Sequence, residues 1–129
     1  MRDTYHSFAA VQALASASQG SATTGPAIDL STFESVLFVV NTGAVAGSGD
    51  FSFKLQESSV PDDAGFADVA AADLLGAAPT TLAATSVYRL GYVTSKMKRY
   101  VRLALIKNGG TSIQAGAVAL LGHGPLTVQ

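Results

Sequence analysis

Residues 35–57 read SVLFVVNTGAVAGSGDFSFKLQE, and two patterns meet in them. Ser35 to Asn41 is an apolar run in which Val36, Leu37, Phe38, Val39 and Val40 follow one another without a polar break. β-Branched and aromatic side chains favour extended backbone. A run with no polar face is expected in a central strand covered on both sides. Thr42 to Gly49 then holds three glycines and suits a tight connection. Asp50 to Glu57 alternates, with Phe51, Phe53 and Leu55 on one side and Ser52, Lys54 and Gln56 on the other. Two β-patterns joined by a glycine-rich turn predict a hairpin.

The same patterns extend toward both ends. Ser86 to Val93 places Tyr88, Leu90 and Tyr92 on one face of a strand. Arg99 to Lys107 places Val101, Leu103 and Leu105 on one face and Tyr100, Arg102, Ala104 and Ile106 on the other. Asn108-Gly109-Gly110 is a strong turn signal, and Ser112 to Leu121 returns as a long strand of small residues. Upstream, Ala27 to Leu30 reads as a short strand, and Val11 to Ser16 as a first strand or an irregular edge. Ser18–Pro26, Ser58–Gly65 and Ala77–Thr85 are loops by composition. Phe66 to Leu75 has helical propensity and stops at Gly76, so one or two helical turns are expected there. The sum is an all-β chain: an N-terminal arm over 1–10, then a single antiparallel β-sandwich over 11–129. Seven to eight strands are expected, in a jelly-roll or immunoglobulin-like order.

Composition narrows what such a domain can do. The 129 residues (13.1 kDa) are 48% hydrophobic and 13% charged, with a mean hydropathy of +0.33. That length is one domain. Cysteine is absent, which excludes disulfides, thiol catalysis and cysteine-ligated metal. The two histidines, His6 and His123, lie near opposite ends. No apolar run approaches the roughly 18 residues of a spanning helix. The Ala-rich N-terminus is broken by Gln12 and serines and carries Asp3, so it reads as mature protein rather than a signal peptide.

Charge is ordered along the chain. Residues 1–73 hold all nine acidic residues and two basic ones, a net of −7, and residues 74–129 hold six basic residues, +6. Lys96, Lys98, Arg99 and Arg102 cluster beside Tyr100. One reading is that the two halves neutralise each other within the fold, and another is contact with an acidic protein neighbour. Nucleic acid is not the expected partner, because the sequence pI is about 6.0 and no recognition signature is present. The arm offers Tyr5, His6 and Phe8, aromatic groups suited to anchoring an interface or to folding back on their own domain.

Catalytic readings are weak. Asp62 and Asp63 are adjacent rather than facing, and they lack the spacing of a calcium loop. The string GAVAGSG from Gly43 joins two strands and lacks a P-loop lysine. His123 has no nearby partner histidine and reads as a loop residue. No catalytic residue, cofactor or metal is expected, and the residues alone give a small all-β structural or binding module.

Several stretches resemble one group of proteins: AIDLSTFESVLFVVNTGA from Ala27, FSFKLQES, FADVAAADLLG, VYRLGYVTSKMKRYVRLAL and the closing AVALLGHGP. In this order and spacing they resemble the capsid decoration, or cement, proteins of tailed bacteriophages, over about Val11 to Pro125. Gly91-Tyr92, Lys98-Arg99-Tyr100-Val101-Arg102 and Leu121-Gly122-His123 carry most of the likeness. The resemblance implies a β-sandwich on the outside of the virion capsid, made in the host cytoplasm before assembly. It implies the major capsid protein as partner, a homo-oligomer with a trimer favoured, no nucleic acid and no membrane. Tyr5, His6, Phe8, Lys96, Lys98, Arg99 and Arg102 are then the interface candidates. A head–tail joining or tail protein is the alternative within a virion, and a carbohydrate-binding sandwich is the alternative outside one.

Overall fold

A computed structural model describes residues 8–31, 33, 35–92 and 98–122. Ten strands follow in chain order: β1 (Phe8–Gln19), β2 (Thr23–Thr24), β3 (Ile28–Asp29), β4 (Ser35–Ala46), β5 (Asp50–Ser58), β6 (Ala67–Asp68), β7 (Leu74–Leu75), β8 (Val87–Tyr92), β9 (Tyr100–Gly109) and β10 (Ser112–Gly122). They form two antiparallel sheets. The first runs β1-β10-β4-β8-β7, and the second runs β2-β9-β5-β6 with β3 also on β9. The chain is an all-β sandwich. The connections β1–β2, β3–β4, β4–β5, β6–β7, β8–β9 and β9–β10 each cross from one sheet to the other, which is jelly-roll order rather than immunoglobulin order.

That topology corrects the hairpin expected over residues 35–57. The chain does turn tightly, with Gly47 and Ser48 at φ 59° and 57° and the Gly49 amide donating to the Ala46 carbonyl at 3.1 Å. Yet β4 pairs with β10 and β8, while β5 pairs with β9 and β6. The turn is an arch between sheets, and Phe51, Phe53 and Leu55 meet the inner side of β4 across the core. The β9–β10 turn crosses in the same way, and the two arches pack together. A Cβ on Gly110 (φ 76°) would lie 2.3 Å from the Ser48 carbonyl oxygen, so only glycine fits both the conformation and the space.

The core is the alternating set from both sheets. Phe38, Val40, Leu90, Tyr92 and Ile113 face Phe51, Phe53, Leu55, Val101, Leu103 and Leu105, and none is more than 2% exposed. Ala115, Ala117 and Ala119 line the inner side of β10. Leu82, from the loop over 77–85, is also buried, and its amide donates to the Phe51 carbonyl at 2.7 Å. Thr42 ties that loop down, donating to the Ala83 carbonyl at 2.6 Å and accepting from the Ser86 amide at 2.9 Å.

Three other expectations change. β4 is central within its sheet but not covered on both sides: Val36, Phe38 and Val40 are buried, and Leu37 and Val39 are only half-buried. The helical turns expected over 66–75 reduce to one 3-10 turn at Ala71–Asp73 between the short strands β6 and β7. Asp68 accepts hydrogen bonds from Lys54 and Gln56, which draws this segment out along β5, and Leu74 pairs with Tyr92. β1 begins at Phe8, inside the span read as arm, and includes two register shifts between Gln12 and Ala17. It is thus both a strand and an irregular edge.

Candidate functional site

The inner sides of the two sheets are alike, and their outer sides are not. On the first sheet, strand alternation sends Leu120 and Val118 of β10, Leu37 and Val39 of β4, and Val87 of β8 outward. Leu75 of β7 and Phe8 of β1 extend the same surface. Val87, Leu75 and Val118 are 65%, 61% and 44% exposed. Arg89 is the one charged residue on this side among those described, lying opposite Val39 in the register. It has no hydrogen-bond or ion-pair partner among the described residues. Around Phe8, Leu37, Leu75, Arg89 and Leu120 the surface dips into a shallow hollow. At the far end it turns small and polar, with Ser16, Ser18, Asn41 and Gln114 around Gly43 and Gly116. Contiguous apolar surface of this kind makes this side the candidate interaction site.

The second sheet carries a polar network instead. Arg102 donates from Nε to Gln56 Oε1 at 2.9 Å, and Gln56 donates to Asp68 at 3.1 Å. Lys54 completes the chain with an ion pair to Asp68 at 2.9 Å. The Arg102 guanidinium also sits 4.3 Å from the centre of the Phe66 ring. Lys54 and Gln56 hold the Asp68 carboxyl below the usual carboxylate range. At the edge, Arg99 makes a two-pronged contact with Asp29, at 3.2 and 3.1 Å. That contact, with the Ser31 amide at 2.9 Å, lowers the Asp29 pKa to about 2. Between the sheets, the buried Tyr92 hydroxyl donates to Glu57 and accepts from the Lys98 amide at 3.1 Å. Burial first, and Glu57 second, raise its pKa well above the ordinary tyrosine value.

The interface candidates read from the sequence therefore separate. Tyr5, His6 and Lys96 lie outside the described residues, as does His123. Phe8 lies on the apolar side of the first sheet. Lys98 is exposed and is fixed through its backbone to Tyr92. Arg99 and Arg102 are occupied within their own chain, by Asp29, Gln56 and Phe66. The Arg99–Asp29 pair joins the basic half to the acidic half, which is the self-neutralising reading at that position. Lys107 instead donates to the Gly20 carbonyl at 3.0 Å. Sequence reasoning passed over Leu37, Val39, Val87, Arg89, Val118 and Leu120. Their signal was present: apolar residues at both parities of β4 and β10 leave one set with no inner face to enter.

Neither protein-family models nor curated proteins give a match to this chain. Among solved structures, it is similar to a chain from the structure of infectious bursal disease virus, Gx strain, at 14% identity and a TM-score of 0.45. The match covers 91% of this chain and 32% of the viral one, so the chain spans about a third of that length. A likeness this low carries no functional weight.

Proposed function

We propose that this chain is a non-catalytic virion structural protein that binds the outer surface of a bacteriophage capsid and stabilises the shell. The observation that carries the reading is the apolar outer side of the first sheet, which water covers poorly and a protein surface covers well. The sequence resemblance to capsid decoration proteins supplies the partner class. The mechanism is linkage: a ligand that binds assembled shell and not free subunits stabilises the shell by the binding free energy it contributes. Each copy adds little, and many copies on a lattice add up. A carbohydrate-binding reading has less support, because Phe66 and Tyr100 are each capped by an arginine and offer no free aromatic platform.

The test is retention of the purified chain on expanded shells of the virus that encodes it, with the shell's thermal midpoint read alongside. Many copies per shell and a raised midpoint are expected. No retention would sink the reading, and a handful of copies per virion would move it to a head–tail joining role.

A further inference from the structure

We infer that two copies of this chain join edge to edge through the Phe8–Gln12 half of β1, antiparallel across a twofold axis at Ala10. This does not rest on the proposed capsid role. The starting observation is the contrast among sheet edges. The first sheet ends in β1 and β7, and the second ends in β2 with β3 and in β6. β2, β3, β6 and β7 are each two residues long, too short to template another strand. β1 is 12 residues long. Proteins protect long edges with charge, proline or bulges. Phe8–Gln19 contains no Lys, Arg, Asp, Glu or Pro.

Bulges protect only its second half. The register with β10 shifts between Gln12 and Leu14 and again between Leu14 and Ala17. There Ala13 and Leu14 are buried, and Gly25 packs so closely that a Cβ on it would meet the Ala13 carbonyl oxygen at 1.7 Å. The Ala15 carbonyl is taken by the Gln19 side chain at 3.0 Å. Phe8 to Gln12, by contrast, run in unbroken register with Gly122 to Val118, and no strand lies beyond them among the described residues. Val11 reports the gap directly. It pairs with the fully buried Ala119 on the core side, yet is 36% exposed.

An open edge is filled by an extended segment, and this one offers no charge for an oppositely charged partner to pair with. The same segment of a second copy is extended and equally uncharged. With the axis at Ala10, Ala10 faces its twin, Ala9 faces the other copy's Val11, and Phe8 faces its Gln12. No charge meets its like, the smallest chiral side chain sits on the axis, and Val11 is covered. The other edges of the chain are too short to be the donor, so the pairing closes on a twofold. It also joins two five-stranded sheets into one continuous sheet, with the apolar outer sides side by side. The resemblance to capsid decoration proteins favours a trimer, so the two readings predict different masses.

Sedimentation equilibrium on the full chain tests this. The wild type should be a dimer. Ala10→Lys and Ala10→Glu, each placing like charges face to face at the axis, should each weaken the dimer by about tenfold or more. An equimolar mixture of the two should restore it, with circular dichroism melts confirming that both variants fold. On the wild type, amide exchange at Ala9–Gln12 should slow as concentration rises. A wild-type monomer or trimer would overturn the inference. So would a dimer indifferent to Ala10→Lys, a mixture that stays monomeric, or exchange at Ala9–Gln12 independent of concentration.

Discussion

The outer sides of the two sheets were built from the same strand alternation and reached opposite ends. On the second sheet, Lys54, Gln56, Asp68 and Arg102 satisfy one another, and Phe66 lies under a guanidinium. On the first, Leu37, Val39, Val87, Val118 and Leu120 stand outward around a lone Arg89. A sheet that faces water is expected to look like the second. The difference teaches where to look for function: the polar side is complete in itself, and the apolar side is not. The charged residues that stand out in the sequence are mostly on the complete side.

The comparison can be broken first on the inner faces, where the two sheets should behave alike. Phe38→Ala and Phe53→Ala should each cost about 3–5 kcal/mol in urea unfolding, since each leaves a cavity in the shared core. Markedly unequal losses would mean that one sheet dominates the fold. On the outer faces the sheets should part. Val39→Thr with Val118→Thr, which keeps shape and adds no charge beside Arg89, should reduce retention on capsid shells about tenfold while changing stability by only about 0.5–1 kcal/mol per site. Shell binding by this pair equal to wild type would remove the apolar side from the proposal. Arg102→Ala should do the reverse, losing about 1–2 kcal/mol of stability through Gln56 and Phe66 and leaving shell binding alone.

The smallest effect is in acid. Asp29 titrates near 2 in the folded chain and near 3.8 when unpaired, so folding favours its ionised form. Its contribution is complete above about pH 4 and is lost as pH falls toward 2. Asp68, lowered by Lys54 and Gln56, acts in the same direction. Asp29→Asn should flatten the acid limb of a melting-temperature profile only slightly, because the Arg99 pair is exposed. A large flattening would mean that this edge contributes more than the outer network.

Much of the fold was legible. The alternation of Phe51, Phe53 and Leu55, or of Val101, Leu103 and Leu105, fixes which side of a strand is buried before any partner is known. What alternation does not carry is the partner. A glycine-rich turn at Gly47-Ser48-Gly49 serves a hairpin and a sheet-crossing arch equally well, and the pairing of β4 with β10 and of β5 with β9 is what separates them. The continuous run at Val36–Val40 was open to a second reading for the same reason. An apolar residue facing outward looks identical whether another layer of the same chain covers it or another molecule does. The candidate surface was therefore legible as a surplus of apolar residues, not as a location. The pairs Asp29–Arg99 and Glu57–Tyr92 left no local sign at all, since their partners lie 70 and 35 residues apart in the chain.

The place of β10 has a consequence for how the molecule comes into being. Among the described strands it is the last in chain order, and it lies between β1 and β4, pairing with both. On the ribosome, which releases the chain from the N-terminus onward, the first strand has no neighbour until residues 112–122 emerge. The pairs β4–β8 and then β5–β9 have both partners made before β10 is. The apolar outer side of the first sheet is thus completed only when β10 brings Val118 and Leu120 beside Val39 and Leu37. A partner that reads those four side chains together needs β10 in place between β1 and β4.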